Sequence, residues 1–293
     1  MRTFKDWVIA ARPWSLSASF IAAVAPIAYS FWRFEEIQYW GIAILCVFMM
    51  LVFQTAGNLL GDYADHINGV DSRNDYNGVM SMKSGKFTPG EIRAFGFAML
   101  SLGIVIGMFI LLYTRIWWLA AFGAFGVICT AFYYWLKYHA LGDVDILFLY
   151  SMVPALGIVL LLTGEWHWEM LYICLPYGLQ TVAILHANNT RDILSDRAAG
   201  IHTMNGYLGG KVAKWLYVAE IIIPFLLIAV FAVIGQLPYW TFITWLTLPV
   251  AVKLSTIMLK APENSDVAIA DLDQRQGKLQ LMFGLLFCVG LIV

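Results

Sequence analysis

The chain has 293 residues, 61% of them hydrophobic, 15% aromatic and only 13% charged. Ordinary soluble domains carry about a quarter charged residues, so a soluble globular fold is excluded. Eighteen basic residues against 19 acidic ones give a formal net charge of −1, which lacks the basic excess that nucleic-acid binding requires.

A hydrocarbon core of about 30 Å takes about 20 apolar residues of helix, and backbone groups in lipid must be paired within the segment. Nine such spans are predicted, at roughly 14–32, 40–60, 94–113, 116–137, 145–163, 169–188, 212–235, 239–259 and 277–293. The predicted fold class is therefore all-α, a polytopic membrane protein with nine helices around a central cavity. The first apolar run follows Arg2, Lys5 and Arg12 and is too long for a secretory signal, which predicts a retained helix. Sixteen of the 18 basic residues fall at the N-terminus or in and beside the connections 61–93, 138–144, 189–211 and 260–276; Arg33 and Arg115 lie on the other side. Lys and Arg stay preferentially on the cytoplasmic face, so the N-terminus and these connections are expected inside, in the inner (plasma) membrane. Cys46, Cys129, Cys174 and Cys288 sit in apolar stretches without a CxxC pair and are expected to pack rather than form disulfides or bind zinc.

The second span ends in Asn58, Asp62, Tyr63, Asp65 and His66, followed by Asn68, Gly69 and Asp71. On a helix, positions 58, 62 and 65 share one face, and three oxygen-bearing side chains on one stripe suit a hard cation. The next loop holds Lys83 and Lys86 about Gly85, without the spacing of a Walker motif. At the end of the fourth span, Tyr133 and Lys137 stand at i and i+4 on one face. An aromatic belt with a snorkelling lysine would look the same.

The sixth span closes on Asn188-Asn189-Thr190-Arg191-Asp192 and continues to Ser195-Asp196-Arg197-Ala198-Ala199-Gly200. Asn188, Asp192 and Asp196 again make one stripe at four-residue spacing. Each acidic stripe closes an even-numbered span, which predicts a single domain over 1–293 built of two weakly repeated halves, roughly 1–140 and 141–293. A polar helix end capped by Asn and Asp would explain one cluster. Two inward-facing clusters ask for more, because an ionised group in a bilayer costs about 2.5–3.5 kcal/mol. A divalent cation with a diphosphate would offset that cost, since Mg²⁺ favours one or two carboxylates plus phosphate oxygens. No two histidines stand at i and i+4, and His186 is expected to be a satisfied core residue. The acidic stretch from Asp266 through Asp271 and Asp273 to Arg275 is expected to form a solvated surface helix.

These motifs and their nine-span frame resemble the UbiA superfamily of intramembrane aromatic prenyltransferases. The chain most resembles the 1,4-dihydroxy-2-naphthoate prenyltransferases of menaquinone synthesis, through Ala11-Arg12-Pro13, Asp62-Tyr63-Ala64-Asp65, Gly69-Val70-Asp71 and the run from Asn188 to Gly200. The resemblance implies Mg²⁺-dependent transfer of a polyprenyl group from its diphosphate to an aromatic small-molecule acceptor, with the tail in membrane lipid. It implies Asn58, Asp62, Asp65, Asp192 and Asp196 as metal ligands, the four aspartates being catalytic. Lys86, Tyr133, Lys137, Asn188 and Arg191 would bind the diphosphate, with Arg12, Asp71 and Arg197 as further candidates. The chain departs from the pattern at Gly61, where the superfamily commonly has Asn, and at Gly69, where many members have a third Asp; Asn58 and Asp71 are the stand-ins. Ile201-His202 replaces a basic pair usual in the naphthoate enzymes, so 4-hydroxybenzoate, homogentisate, a tetrapyrrole or a glycerol phosphate ether stay open as acceptors. A transporter is the rival from another class. It would place its charges near the bilayer midplane or in broken helices, whereas both clusters here sit at helix ends.

Overall fold

The computed structural model describes residues 3–69, 82, 85–262 and 267–293. Asp71, Lys83 and Asp266 lie outside the described residues. Among those described, the regular elements are helices: α1 (Phe4–Ala10), α2 (Ser17–Arg33), α3 (Trp40–Ile67), α4 (Pro89–Thr114), α5 (Leu119–Tyr138), α6 (Gly142–Leu147) and α7 (Val153–Thr163) in the first part. Then follow α8 (Leu175–Arg191), α9 (Ile193–Ala198), α10 (Met204–Leu208), α11 (Gly210–Val233), α12 (Leu248–Lys260) and α13 (Leu272–Ile292). All nine expected spans are helical. Seven helical stretches, Pro13–Arg33, Trp40–Ile67, Pro89–Thr114, Leu119–Tyr138, Gly142–Thr163, Gly210–Val233 and Tyr239–Lys260, are long and apolar enough to cross a bilayer. The other two expected spans, α8 and α13, are the polar centre of the bundle. Gln180, His186, Gln276 and Gln280 are all fully buried there, which lowers the apolarity of these helices without exposing them to lipid.

Local sequence sets the ends. The Thr88 hydroxyl accepts from the Glu91 amide at 3.3 Å while the Glu91 carboxylate accepts from the Thr88 amide at 2.8 Å, a capping box with Pro89 in the first turn of α4. Between α6 and α7 a π-turn runs over Phe148–Met152, and Tyr150 leaves helical dihedrals at φ −113° and ψ 20°.

Lipid gives helices no hydrophobic reason to associate with each other, so close packing and polar pairs hold the bundle. Gln54 of α3 donates to the Ser15 carbonyl at 2.7 Å and accepts from the Ser19 amide at 3.0 Å, joining α3 to the start of α2. Gln276 donates to Gln180 Oε1 at 2.8 Å, the Tyr217 hydroxyl donates to Gln276 Oε1 at 3.1 Å, and Gln180 donates to the Ile221 carbonyl at 3.1 Å. Helices α8, α11 and α13 are thereby tied at one level. His186 is a core residue as expected: its Nε2 lies 2.8 Å from the Ala213 carbonyl and its Nδ1 lies 3.2 Å from Glu220. The four cysteines are buried and free.

Near the far end of α13, a Cβ on Gly290 would come within 2.7 Å of the Thr241 Cα and the Trp240 carbonyl oxygen, both backbone atoms that cannot rotate away. Gly290→Ala is therefore expected to destabilise the protein by about 1–3 kcal/mol, the usual cost of overpacking. Gly123→Ala, where nothing lies within 4 Å of the new methyl, should be neutral. Thermal unfolding in detergent checks this, and equal midpoints for the two variants would contradict the packing described.

Candidate active site

Where the acidic ends of α3 and α8 meet the end of α5 and the start of α13, they surround a cavity of about 170 Å³. Asn58, Asp62 and Asp65 line it from α3, Tyr133, Tyr134 and Lys137 from α5, Tyr150 from the π-turn, Asn188 from α8, and Asp273 from α13. Ile146, Leu149, Ile184 and Leu185 supply apolar wall, and the N-terminal arm closes it with Arg12, Trp14 and Ser15.

The arm is placed by Asn58, whose side-chain nitrogen donates to the Ala11 carbonyl at 3.1 Å and to the Ser15 hydroxyl at 2.9 Å. Arg12 has φ of 53°, in the left-handed region, which costs an L-residue about 1–2 kcal/mol. That turn brings its guanidinium onto the buried carboxylate of Asp62. Such strain concentrates at sites that use it. One helical turn on, Asp65 accepts the Tyr138 hydroxyl at 2.5 Å on Oδ1, and Lys137 Nζ lies 3.6 Å from Oδ2.

The second motif is built differently. Backbone bonds from the Asp192 amide to Asn188 (3.1 Å) and from the Asp196 amide to Asp192 (2.8 Å) carry the helical repeat across non-helical dihedrals at Asp192, so the stripe of 188, 192 and 196 persists. Asn188 reaches the cavity wall, whereas Asp192 and Asp196 stand behind it. Arg191 grips both oxygens of Asp192 at 2.8 Å and also donates to Asp273 and to the Ala270 carbonyl, each at 3.1 Å. Asp196 is 2% exposed, and its Oδ2 has no hydrogen-bond partner. Burial pushes its carboxyl up to about 7, opposed by Lys137 and reinforced by Asp192 and Asp65.

Of the residues singled out from the sequence, Arg12, Asn58, Asp62, Asp65, Tyr133, Lys137 and Asn188 line the cavity. Lys86 does not: its ammonium is 2.6 Å from Asp6 of α1. Arg197 is exposed and donates to the Gly206 carbonyl at 3.2 Å, also away from the wall. Asp273, expected on a solvated surface helix, is instead 9% exposed, takes Arg191 at 3.1 Å and Asn188 at 3.4 Å, and belongs to the site. Its signal in the sequence is the stripe Asp273-Gln276-Gln280 at the start of the last helix. Tyr138, Tyr150, Asp143 and Asp145 were not singled out either; both carboxylates are buried, Asp143 with no hydrogen-bond partner on its oxygens and Asp145 beside the Cys129 thiol.

Four carboxylates (Asp62, Asp65, Asp192, Asp273) and Asp196, whose carboxyl burial keeps partly protonated, thus gather with three cations (Arg12, Lys137, Arg191), an excess of negative charge in a low-dielectric setting. Among the described residues no three acidic, histidine or cysteine side chains form a ready metal cage. That combination fits a divalent cation arriving with an anionic ligand, as Mg²⁺ does with phosphates.

A second cavity of about 470 Å³, lined by apolar groups of α3, α4, α5 and α7, adjoins the first: Leu149 belongs to both walls. Gly103, Gly107, Gly123, Gly126 and Gly157 line it, and at Gly123 and Gly126 nothing lies closer than 4.0 Å to where a Cβ would stand.

A multi-pass helical membrane protein with acidic helix ends around one pocket, and an apolar cavity beside it, has the build of an intramembrane prenyltransferase. The chain belongs to the UbiA prenyltransferase family, whose profile matches residues 18–272. The UbiA prenyltransferase domain-containing protein 1 of Homo sapiens is 30% identical over 299 residues, covering 98% of this chain and 83% of that protein. Its Drosophila melanogaster homolog is 28% identical over 295 residues, covering 97% of this chain and 79% of that protein. Among solved structures, the apo form of a UbiA homolog from Aeropyrum pernix K1 superposes with a TM-score of 0.70 at 16% identity, covering 93% of this chain and 97% of that one. A UbiA homolog from Archaeoglobus fulgidus bound to GPP and Mg²⁺ gives a TM-score of 0.59 at 13% identity, covering 96% and 99%. The structural likenesses establish the shared fold.

Proposed function

We propose that this prenyltransferase moves a polyprenyl group from its allylic diphosphate to an aromatic acceptor, 1,4-dihydroxy-2-naphthoate, with Mg²⁺ held between its two acidic motifs. The observation that carries the reading is the convergence of both motifs on Lys137, which lies 3.6 Å from Asp65 and whose positive charge also acts on Asp196. The Archaeoglobus homolog with GPP and Mg²⁺ supports the donor and the metal, and the resemblance of the Asn188–Gly200 run supports the acceptor.

Asp62 and Asp65, which line the cavity, would hold the ion from one side with the Asn58 side-chain oxygen beside them; Asp192, gripped by Arg191, and Asp196 stand behind the wall and would turn into the cavity to hold it from the other. Bound Mg²⁺ supplies positive charge to the diphosphate as the allylic C–O bond ionises. Lys137 and Tyr133, one turn apart, donate to the departing diphosphate oxygens, and Arg12 can exchange its hold on Asp62 for the same anion. Ile146, Leu149, Ile184 and Leu185 keep water from the allylic cation until the electron-rich ring attacks it. Attack forms the ring C–C bond at the carbon that bears the carboxylate, which leaves as CO₂. The prenyl tail lies in the glycine-lined cavity. The two acidic helix ends act as counterparts of a duplicated unit in a single domain. The N-terminus and both motifs face the cytoplasm across the plasma membrane, a reading supported by the sixteen of 18 basic residues on that side.

Membranes containing the purified chain, labelled polyprenyl diphosphates and an acceptor panel test this. Product is expected with dihydroxynaphthoate in the presence of Mg²⁺; product with another acceptor alone would reassign the substrate, and transfer persisting in excess chelator would overturn the metal's role. The tail assignment has its own test. A Cβ on Gly126 meets only Leu149 Cδ1 at 4.0 Å, so a side chain can begin there without a clash, and Gly126→Leu adds bulk beside Leu149, the residue that both cavities share. We expect kcat/KM for a twenty-carbon donor to fall at least tenfold relative to a ten-carbon donor, and an unchanged ratio would place the tail elsewhere.

A further inference from the structure

We propose that Tyr138 is a positioning residue that links the two acidic motifs and fixes which oxygen of Asp65 faces the metal. The inference rests on the Mg²⁺ site of the proposed function and deepens it. Tyr138 is the last residue of α5 and takes part in both half-sites at once. Its hydroxyl donates to Asp65 Oδ1 at 2.5 Å, the short range of a charge-assisted O–H···O⁻ bond. Its backbone carbonyl accepts from the His202 amide at 3.3 Å, and His139 and His202 pair there as an isolated parallel bridge. One residue earlier, the Ile201 amide donates to the Asp196 carbonyl at 2.8 Å. A continuous chain of bonds therefore runs from Asp65 through Tyr138 to the backbone of Asp196, joining groups that are 131 positions apart in sequence (196 − 65).

The geometry at Asp65 gives the link a function. With Oδ1 occupied by a neutral donor, Oδ2 is the oxygen turned toward Lys137, 3.6 Å away, and Lys137 also acts on Asp196. Positive charge between the two motifs thus meets one defined oxygen of Asp65, in the way that hydrogen bonds from surrounding residues orient metal ligands elsewhere. A tyrosine serving only a membrane-interface belt would send its hydroxyl to water. Here the ring packs edge-on against Tyr134, with centroids 6.1 Å apart, and the hydroxyl turns inward. Tyr138→Phe keeps that ring contact and removes only the hydroxyl.

The test is Mn²⁺ binding, followed by electron paramagnetic resonance, to the full chain in detergent with an unreactive geranyl thiodiphosphate present. Loss of an orienting partner typically weakens metal binding by about 10–100-fold, and Tyr138→Phe should show a loss of that size while the metal-free protein still unfolds in one cooperative transition. In an Asp65→Asn background the same substitution should add nothing, because the oxygen it orients no longer binds metal. Wild-type affinity in Tyr138→Phe, or a loss of equal size in the Asp65→Asn background, overturns the proposal while leaving the metal site standing. Absence of Mn²⁺ binding in the wild type overturns the metal site and this inference with it.

Discussion

Replacing Asp62 or Asp65 by asparagine should lower kcat by about 10²–10³-fold, the scale on which enzymes lose rate when one preorganised electrostatic group is removed. Asparagine keeps the shape of the side chain and deletes its charge. At Asp62 the change also leaves the Arg12 guanidinium, already held in a left-handed turn, without its buried countercharge. At Asp65 it removes the charge that faces Lys137 at 3.6 Å. Asp271→Asn is the matching control, since that carboxylate pairs with Arg275 at 2.8 Å on the surface with both side chains about half exposed. Such surface pairs contribute about 0–1 kcal/mol, and the control should retain full activity. Prenyl transfer measured across the three variants checks the expectation; full activity in Asp62→Asn and Asp65→Asn would contradict it.

Arg191→Met should destabilise the fold by about 3–5 kcal/mol, the cost of breaking a buried ion pair from one side. The guanidinium spans Asp192 and Asp273 with bonds of 2.8–3.1 Å, and its side chain is 1% exposed. Removing it leaves two carboxylates buried and facing each other. Arg191→Lys should recover little, because an ammonium cannot form the two parallel bonds to Asp192. The role implied by family resemblance, a direct diphosphate ligand, leads to the opposite pattern. In that case the unfolding midpoint would hold and only the KM for the prenyl diphosphate would rise, with Lys partly restoring it. Thermal unfolding and donor titration of the two variants separate these accounts.

The contrast between Arg191 and Lys137 marks where the sequence is informative. The apolar runs foretell helices, because a bilayer leaves the backbone no alternative, and among the described residues seven stretches are long and apolar enough to cross it. Asn58, Asp62 and Asp65 are legible as one stripe, and Asn188, Asp192 and Asp196 as another, because helical period alone determines which side chains share a face. What a cation in either motif does is decided by a partner far along the chain. Lys137 stays at the pocket beside Asp65, 72 residues back, whereas Arg191 is drawn behind the wall by Asp273, 82 residues on. Lys86 goes to Asp6, 80 residues back. No local pattern encodes such pairings. Asp273 is the clearest case: three residues before Gln276 on a buried stripe it is a site residue, yet its neighbours Asp271 and Arg275 are the solvated pair that the local composition suggests.

The central claim is that both acidic motifs act together on a metal-bound diphosphate, and isothermal titration of the purified chain with geranyl thiodiphosphate tests it most directly. With Mg²⁺ present, binding should be measurable in the wild type and lost in the Asp65→Asn/Asp196→Asn double variant, and excess chelator should abolish it in both. Equal affinity with and without Mg²⁺, or binding that survives in the double variant, would contradict the account.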